Sequence, residues 1–261
     1  MVVFTMLSSF SRTSRWCVAG VCWLLCLLPV TCAWLSPLTA PDVHPGVYGS
    51  LYKPASPGPH PAVVVLHGAN GLVPAHYHFA RTLAKQGYVA LVVNYYAETG
   101  AVAREGVIRM LKQWSTWERT VQHSVQYLQA SPDVQLDHIG IVGFSRGAFL
   151  ALSTAGITPA VKAVVAYYGG ALPSLGGYVH NLPPVLLLHG DADSRAPVAY
   201  SQAVYEALVR HGKPVEMFIY PGVEHGFNVT GAWYDPQADA DAQKRTLMFL
   251  DKYLKLSEAA G

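Results

Sequence analysis

The residues with the clearest chemical signature lie at positions 143–147, where the sequence G-F-S-R-G places a serine between two glycines. An apolar run at 138–142 precedes them, and a segment of small and apolar residues at 148–153 follows. A G-x-S-x-G sequence between a strand and a helix is typical of a sharp turn that exposes the serine hydroxyl, because the glycines relieve crowding there. This pattern predicts that Ser145 is a nucleophile.

A serine hydroxyl needs two further groups to react at neutral pH. An imidazole must accept its proton, and a carboxylate must orient that imidazole and stabilise its cation. His225 is the candidate base and Asp193 the candidate acid, and they follow apolar runs at 215–220 and 185–188 in the chain order expected for this type of site. Asp191 is the alternative acid, although it could instead brace the turn.

Backbone N–H donors are also required, because negative charge develops on the substrate carbonyl oxygen during attack. One is predicted to be the N–H of Arg146, which directly follows the nucleophile and begins a helix. The other is predicted in the glycine-containing loop at 66–72, where Ala69 is the candidate donor.

The surrounding elements must bring these groups together. From residue 62 onward, short continuous apolar runs alternate with amphipathic segments. Continuous apolar runs are typical of strands buried on both faces, and their alternation with helices is typical of a parallel sheet. We therefore predict an α/β fold with a doubly wound, mostly parallel sheet, helices on both faces, and a ligand site at the carboxyl ends of the strands.

The predicted strands are 62–66, 89–93, 139–142, 161–166, 185–188 and 215–220, and the predicted helices are 75–86, 105–129, 146–154, 199–211 and 238–256. The proline-rich segment 54–61 is predicted to be a loop between an edge hairpin and the first buried strand. Little material lies between the second strand and the serine, so we expect no large lid and an open, shallow pocket.

The motifs at these positions resemble those of the dienelactone hydrolase family of α/β-hydrolases. They are L-H-G-A-N-G-L at 66–72, N-Y-Y at 94–96, G-F-S-R-G at 143–147, H-G-D-A-D at 189–193 and H-G-F at 225–227. The resemblance implies the α/β-hydrolase fold from about residue 47 to residue 254. It also implies Asp193 rather than Asp191 as the acid, and Ala69 with Arg146 as the pair of backbone donors.

The sequence departs from this family at three positions. Dienelactone hydrolases resemble this chain but carry cysteine at the position of Ser145 and a glutamate at the position of Gly68, and lactone hydrolases of the family have an arginine at the position of Val229. A serine without the glutamate resembles an ordinary serine esterase. The candidates to replace the missing arginine are Arg81, Arg104 and Arg109.

Other residues after strand ends are candidates to line or support a pocket. Four are predicted to line it: His67, Asn70, Tyr95 and Tyr96. His67 and His189 are also interpreted as braces of their loops rather than metal ligands, because no third ligand stands at a recognisable spacing. Trp114 and Trp117 lie on one face of a helix, which suits either core packing or a pocket wall.

The first 33 residues differ in composition from the rest of the chain. Arg12 and Arg15 are their only charged residues, and an apolar run at 16–28 ends at Pro29. This pattern predicts a signal peptide at 1–33 that is cleaved after Ala33, followed by a single domain at 34–261. The protein is therefore predicted to be exported, either periplasmic or secreted; the alternative is a retained membrane anchor over residues 16–34.

The positions of the cysteines and the net charge exclude several kinds of site and partner. All four cysteines lie within residues 1–33, so the predicted mature domain has no disulfide and no cysteine metal site. Removing Arg12 and Arg15 from 18 basic residues leaves 16 against 16 acidic ones. A neutral surface offers no footprint for nucleic acid or an anionic membrane, so a membrane partner is expected only if the N-terminal segment is retained.

These observations predict a serine hydrolase that cleaves small carboxylic esters or lactones through an acyl-enzyme, with no cofactor and no metal. Two alternatives remain open at this point. One is a peptidase or amidase of the prolyl oligopeptidase type, which shares the order of the three residues. The other is an exported binding protein that has kept the fold and lost catalysis.

Overall fold

The computed structural model describes residues 46–101, 106–171 and 177–255. The predicted signal peptide or anchor, the four cysteines, Arg104 and the last residue of the predicted C-terminal helix lie outside these ranges. None of the helices within them combines the length and apolar character that crossing a membrane requires.

Within these described ranges, seven strands form one open sheet. They are β1 (Gly49–Tyr52), β2 (His60–Leu66), β3 (Val89–Val93), β4 (Val134–Phe144), β5 (Val161–Tyr167), β6 (Val185–Gly190) and β7 (Val215–Tyr220). Their order across the sheet is β1-β3-β2-β4-β5-β6-β7, and every neighbouring pair is parallel except β1 with β3. The strand β1 lies at one edge of the sheet and pairs antiparallel with β3. Residues before 46, where the other strand of the predicted edge hairpin would fall, lie outside the described ranges.

In the part of the chain that the structure describes, five α-helices cover both faces of the sheet. They are α1 (Pro74–Lys85), α2 (Val107–Gln129), α3 (Arg146–Ala155), α4 (Ala199–Arg210) and α5 (Pro236–Leu254). Side chains of α2, α3 and α4 pack on one face, and those of α1 and α5 pack on the other. The predicted doubly wound, mostly parallel α/β architecture is confirmed.

The strands are buried as their composition predicts. All residues of β3 and the last five of β2 are at most 1% exposed. Removing each large aliphatic side chain from water contributes about 1.5–3 kcal/mol, which makes the sheet a rigid support. The carboxyl ends of parallel neighbours lie side by side, with Leu66 opposite Gly143 and Phe144 opposite Tyr167. The loops that carry the predicted chemistry therefore leave one edge of the sheet.

Candidate active site

Ser145 occupies the turn between β4 and α3, with φ of 53° and ψ of −118°. This is the conformation of the first central residue of a type II′ turn, where glycine is preferred. The Ser145 N–H donates to the Tyr167 carbonyl at 3.0 Å, and its carbonyl accepts from the Ala148 N–H at 2.8 Å. Gly143 is required by close approach, since a Cβ there would overlap the carbonyl group of Gly147. The turn is held in the geometry predicted for a nucleophile.

His225 links the serine to the aspartate. Its Nε2 lies 2.9 Å from Ser145 Oγ, and its Nδ1 lies 2.7 Å from Asp193 Oδ2. Because a carboxylate only accepts, Nδ1 carries the ring proton and Nε2 is the acceptor that faces the serine hydroxyl. The side chain of Asp193 is fully buried, and that of His225 is 12% exposed. The three predicted residues form one line of hydrogen bonds.

Four donors surround the Asp193 carboxylate. Its Oδ1 accepts from the N–H groups of Arg195 and Ala196 at 2.9 and 2.8 Å, and its Oδ2 lies 3.1 Å from Nε2 of His189 as well as bonding His225. Burial alone would raise the pKa of this carboxyl, but the hydrogen bonds from His189, His225 and Ala196 outweigh burial and hold the pKa well below its usual range. Asp193 is therefore ionised at neutral pH.

The alternative acid has a different partner. The Asp191 carboxylate accepts from the Gly222 N–H at 2.6 Å, so it braces the turn after β7. Glu224 makes a contact that the sequence pattern did not indicate: its Oε2 accepts from the N–H and hydroxyl of Ser194, both at 3.1 Å, and from the His225 N–H at 3.0 Å. Glu224 thus ties the loop of the acid to the loop of the histidine.

The loop after β2 packs directly on the nucleophile. A Cβ added at Gly68 would lie 3.3 Å from Cβ and 3.9 Å from Oγ of Ser145, so position 68 faces the serine. Ala69 and Arg146 both line the cavity beside Ser145. The structure therefore places both residues of the predicted donor pair in the wall of the cavity that holds Ser145.

Three consecutive carbonyl groups of this loop accept hydrogen bonds from buried side chains. The bonds are Tyr95 Oη to the His67 oxygen at 2.9 Å, His67 Nδ1 to the Gly68 oxygen at 2.8 Å, and Tyr96 Oη to the Ala69 oxygen at 3.3 Å. A peptide group is planar, with its C=O and N–H on opposite sides, so fixing one carbonyl fixes the next N–H. The bond from His67 to Gly68 therefore orients the N–H of Ala69.

Three residues predicted to line the pocket lie beneath this loop instead. His67 and Tyr95 are fully buried with their rings stacked 4.0 Å apart, and Tyr96 is 5% exposed. Their hydroxyl and imidazole groups point at the loop carbonyls, which turns the rings away from the cavity. Burial lowers the pKa of His67 to about 4, so at neutral pH it is an uncharged donor. Of the four residues predicted as lining, Asn70 does line the cavity.

The serine and histidine open into a cavity of about 880 Å³. Its walls are mostly apolar and include Val73, Met110, Trp114, Phe149, Tyr168, Tyr200, Val204, Val229 and Trp233. The cavity is larger than the expected shallow pocket, because residues of α2, α4 and the loop at 226–233 all contribute to its walls. Trp114 forms part of the wall, whereas Trp117 is fully buried and packs 5.3 Å from Tyr95.

The arginines that line the cavity are not the ones predicted to replace the missing family arginine. Arg146 and Arg195 line it, whereas Arg81 and Arg109 do not. The Arg195 guanidinium lies 4.4 Å over the ring of Trp233. Sequence spacing could not indicate this arginine, because the loop of Trp233 follows a different strand.

No group of three or more His, Cys, Asp or Glu side chains in the described ranges is arranged to hold a metal ion. His189 bonds Asp193, and His67 bonds Gly68, so both brace their loops. The arrangement of serine, imidazole and carboxylate in a mostly apolar cavity is suited to nucleophilic attack on a carbonyl group.

Known proteins of similar sequence and structure carry the same fold. "Putative carboxymethylenebutenolidase" from Synechocystis sp. is 27% identical over 238 residues, which cover 84% of this chain and 96% of that protein. Dienelactone hydrolase from Anabaena variabilis has a TM-score of 0.62 at 22% identity, covering 79% of this chain and 92% of the other. Pyrococcus horikoshii acylaminoacyl peptidase has a TM-score of 0.66 at 19% identity, covering 82% of this chain and 40% of the peptidase.

The sequence model of the dienelactone hydrolase family matches residues 47–254, which contain every predicted site residue. The resemblance inferred from the motifs is confirmed. The chain belongs to the dienelactone hydrolase family and is a carboxylic ester hydrolase with the α/β-hydrolase fold.

Proposed function

We propose that this protein hydrolyses carboxylic esters or lactones through an acyl-enzyme, with Ser145 as nucleophile, His225 as base and Asp193 as the orienting acid. The observation that carries the proposal is the line of hydrogen bonds from Ser145 Oγ through His225 to Asp193, at 2.9 and 2.7 Å. The line ends inside the cavity, where a carbonyl carbon can approach the hydroxyl.

In the first half of the reaction, Ser145 Oγ attacks the substrate carbonyl carbon as His225 Nε2 takes the hydroxyl proton. The N–H groups of Ala69 and Arg146 stabilise the oxyanion, and each such donor is worth about 3 kcal/mol in the transition state. The tetrahedral intermediate collapses, His225 gives its proton to the leaving alkoxide, and the acyl group stays on Ser145.

In the second half, a water molecule replaces the alcohol. His225 removes a proton from the water as its oxygen attacks the acyl carbon, and the same two N–H groups stabilise the second oxyanion. Collapse releases the carboxylic acid and returns the proton to Ser145. Asp193 remains ionised throughout and stabilises the His225 cation.

The cavity favours substrates with an apolar group on the acyl or alcohol side. Its volume lies in the upper part of the range typical of small-molecule sites, which exceeds what an acetyl or methyl ester would fill. Val229 stands where related lactone hydrolases have an arginine, and Trp114 and Trp233 add aromatic surface. We therefore propose neutral esters and lactones with a medium alkyl or aromatic group as preferred substrates.

The test is a hydrolysis screen of aryl esters from acetyl to dodecanoyl, a series of lactones of increasing ring size, and matched aminoacyl amides. We expect ester turnover that rises from acetyl to a medium chain and is abolished in Ser145→Ala. A fluorophosphonate should label the wild type and not Ser145→Ala. Ser131→Ala is the matched control, because it removes a hydroxyl from the segment between α2 and β4, which does not line the cavity.

Unaltered turnover by Ser145→Ala would refute the proposed mechanism. Preference for aminoacyl amides over esters would favour the peptidase alternative, which the structural similarity to the acylaminoacyl peptidase makes the nearest rival. Absence of both labelling and turnover would favour the binding-protein alternative.

A further inference from the structure

His189 is a fully buried histidine that the proposed mechanism does not use. It lies at the end of β6, and its side chain is 0% exposed. Its Nε2 lies 3.1 Å from Asp193 Oδ2 and 2.8 Å from the carbonyl oxygen of Ala196. Both oxygens can only accept, so Nε2 of His189 must carry a proton.

The second ring nitrogen also faces an atom that needs a donor. Nδ1 of His189 lies 2.7 Å from Ser201 Oγ, and that hydroxyl lies 2.6 Å from the carbonyl oxygen of Gly169. A hydroxyl has one proton and a carbonyl has none, so the Ser201 proton belongs to the bond with Gly169. A lone pair of Ser201 Oγ then faces Nδ1, which must donate as well.

We propose that His189 is a buried imidazolium that shares the Asp193 carboxylate with His225. The assignment satisfies every donor and acceptor around the ring, which buried polar groups require. A buried charge is tolerated only when it is paired and hydrogen-bonded, and Asp193 supplies the paired charge. His189 is thus a positioning residue for the acid, and this role rests on the proposed function of the site.

The positive charge of His189 acts on the nearby ring of His225. The two rings bond the same oxygen at 2.7 and 3.1 Å, so the cation of His189 lies within about 6 Å of His225. The other groups facing His225 are the Asp193 carboxylate, the Tyr168 ring at 4.7 Å and the neighbouring Glu224. A cation at this distance opposes a second positive charge on His225, which promotes return of its proton to the leaving group.

The first test is NMR of the protein labelled with ¹⁵N in histidine. An imidazolium at position 189 gives two protected ring N–H signals that His189→Gln removes together, while the Nδ1–H signal of His225 remains. One ring N–H signal at position 189 would overturn the proposal. This readout does not depend on turnover, so it holds even if the proposed ester hydrolysis fails.

The second test is the pH profile of kcat/KM. His189→Gln keeps a donor toward Asp193 but removes the charge, so the acid limb should move to higher pH by about one unit. Ser201→Ala removes the acceptor of the Nδ1 proton and keeps the bond between His189 and Asp193, so it should move the limb in the same direction. His211→Gln, at the end of α4, is the control and should leave the profile unchanged.

A wild-type acid limb in both variants would overturn the proposal, as would a limb that moves to lower pH. If His189→Gln fails to fold, Ser201→Ala and the wild-type NMR spectrum still decide between one and two ring protons. A wild type that has two ring N–H signals but no turnover dependent on Ser145 would refute the proposed function and leave the charge state of His189 supported.

Discussion

The replacement His67→Phe tests whether the hydrogen bond from the buried His67 ring fixes the loop after β2 in its catalytic geometry. Phenylalanine keeps an aromatic ring against Tyr95 but removes the Nδ1–H that donates to the Gly68 oxygen at 2.8 Å. The Gly71 N–H still donates to that oxygen at 3.1 Å, so the peptide group is loosened rather than released. Because this peptide carries the N–H of Ala69, its loosening weakens one of the two proposed oxyanion donors.

The expected loss of kcat in His67→Phe lies between two limits. Loss of one neutral hydrogen bond costs about 1 kcal/mol, which is about a fivefold change in rate if the loss is felt only in the transition state. Complete loss of an oxyanion donor lowers kcat about 10²–10³-fold. We expect His67→Phe to lower kcat about tenfold and to leave KM nearly unchanged, since the interaction strengthens as charge develops.

The assay is steady-state kinetics on a neutral aryl ester, with fluorophosphonate titration to count competent sites. Tyr95→Phe is the matched control, because its hydroxyl holds the His67 carbonyl at 2.9 Å and thereby the N–H of Gly68, which is not a proposed donor. We expect its kcat to change about twofold or less. Equal losses in both variants, or an unchanged kcat in His67→Phe, would refute the reasoning.

Three further predictions follow from the same contacts. Asp193→Asn should lower kcat about 10⁴-fold because the imidazole loses its orienting acceptor, whereas Asp191→Asn should change kcat only a few-fold in the same assay. Burial lowers the pKa of His67 and His76 to about 4, so the unfolded chain binds their protons more readily. The free energy of unfolding should therefore be highest above about pH 6.5 and should fall by up to about 3 kcal/mol per histidine as the pH drops toward 4. A urea midpoint that does not change between pH 7 and pH 4 would contradict this prediction. Arg195→Gln should lower kcat/KM about tenfold for esters bearing a carboxylate and leave neutral esters unchanged, which paired substrates can check.

Much of the fold could be predicted because the strands are buried on both faces and therefore read as continuous apolar runs. The partner of the edge strand could not be predicted, since β1 has only four residues and nothing in its sequence selects β3 as its neighbour. The start of α5 was placed two residues late. Its signal was present, because the Asp235 side chain caps the N–H groups of Gln237 and Ala238 and Pro236 occupies the first turn.

The line of serine, histidine and acid could be located because each member follows the end of a strand. The residues around it could not be assigned, because side-chain direction in a loop is set by tertiary contacts rather than by spacing. Tyr96 follows a strand end as the pattern requires, yet it points under the loop of Ala69. Glu224 and Ser194 are thirty positions apart in the chain, and only the fold shows that they join.

The position of the histidine illustrates how the sheet order shapes the H-G-F sequence. β7 lies three strands from β4, a distance of about 14 Å at the usual strand spacing, yet His225 approaches Ser145 to 2.9 Å. The loop must therefore fold back over β5 and β6. Phe227 anchors it by being fully buried 5.4 Å from Tyr168, and Gly226, with φ of 74°, turns the chain between the buried ring and the imidazole. A side chain at position 226 would strain that turn, so the glycine and the phenylalanine together place the imidazole beside Ser145.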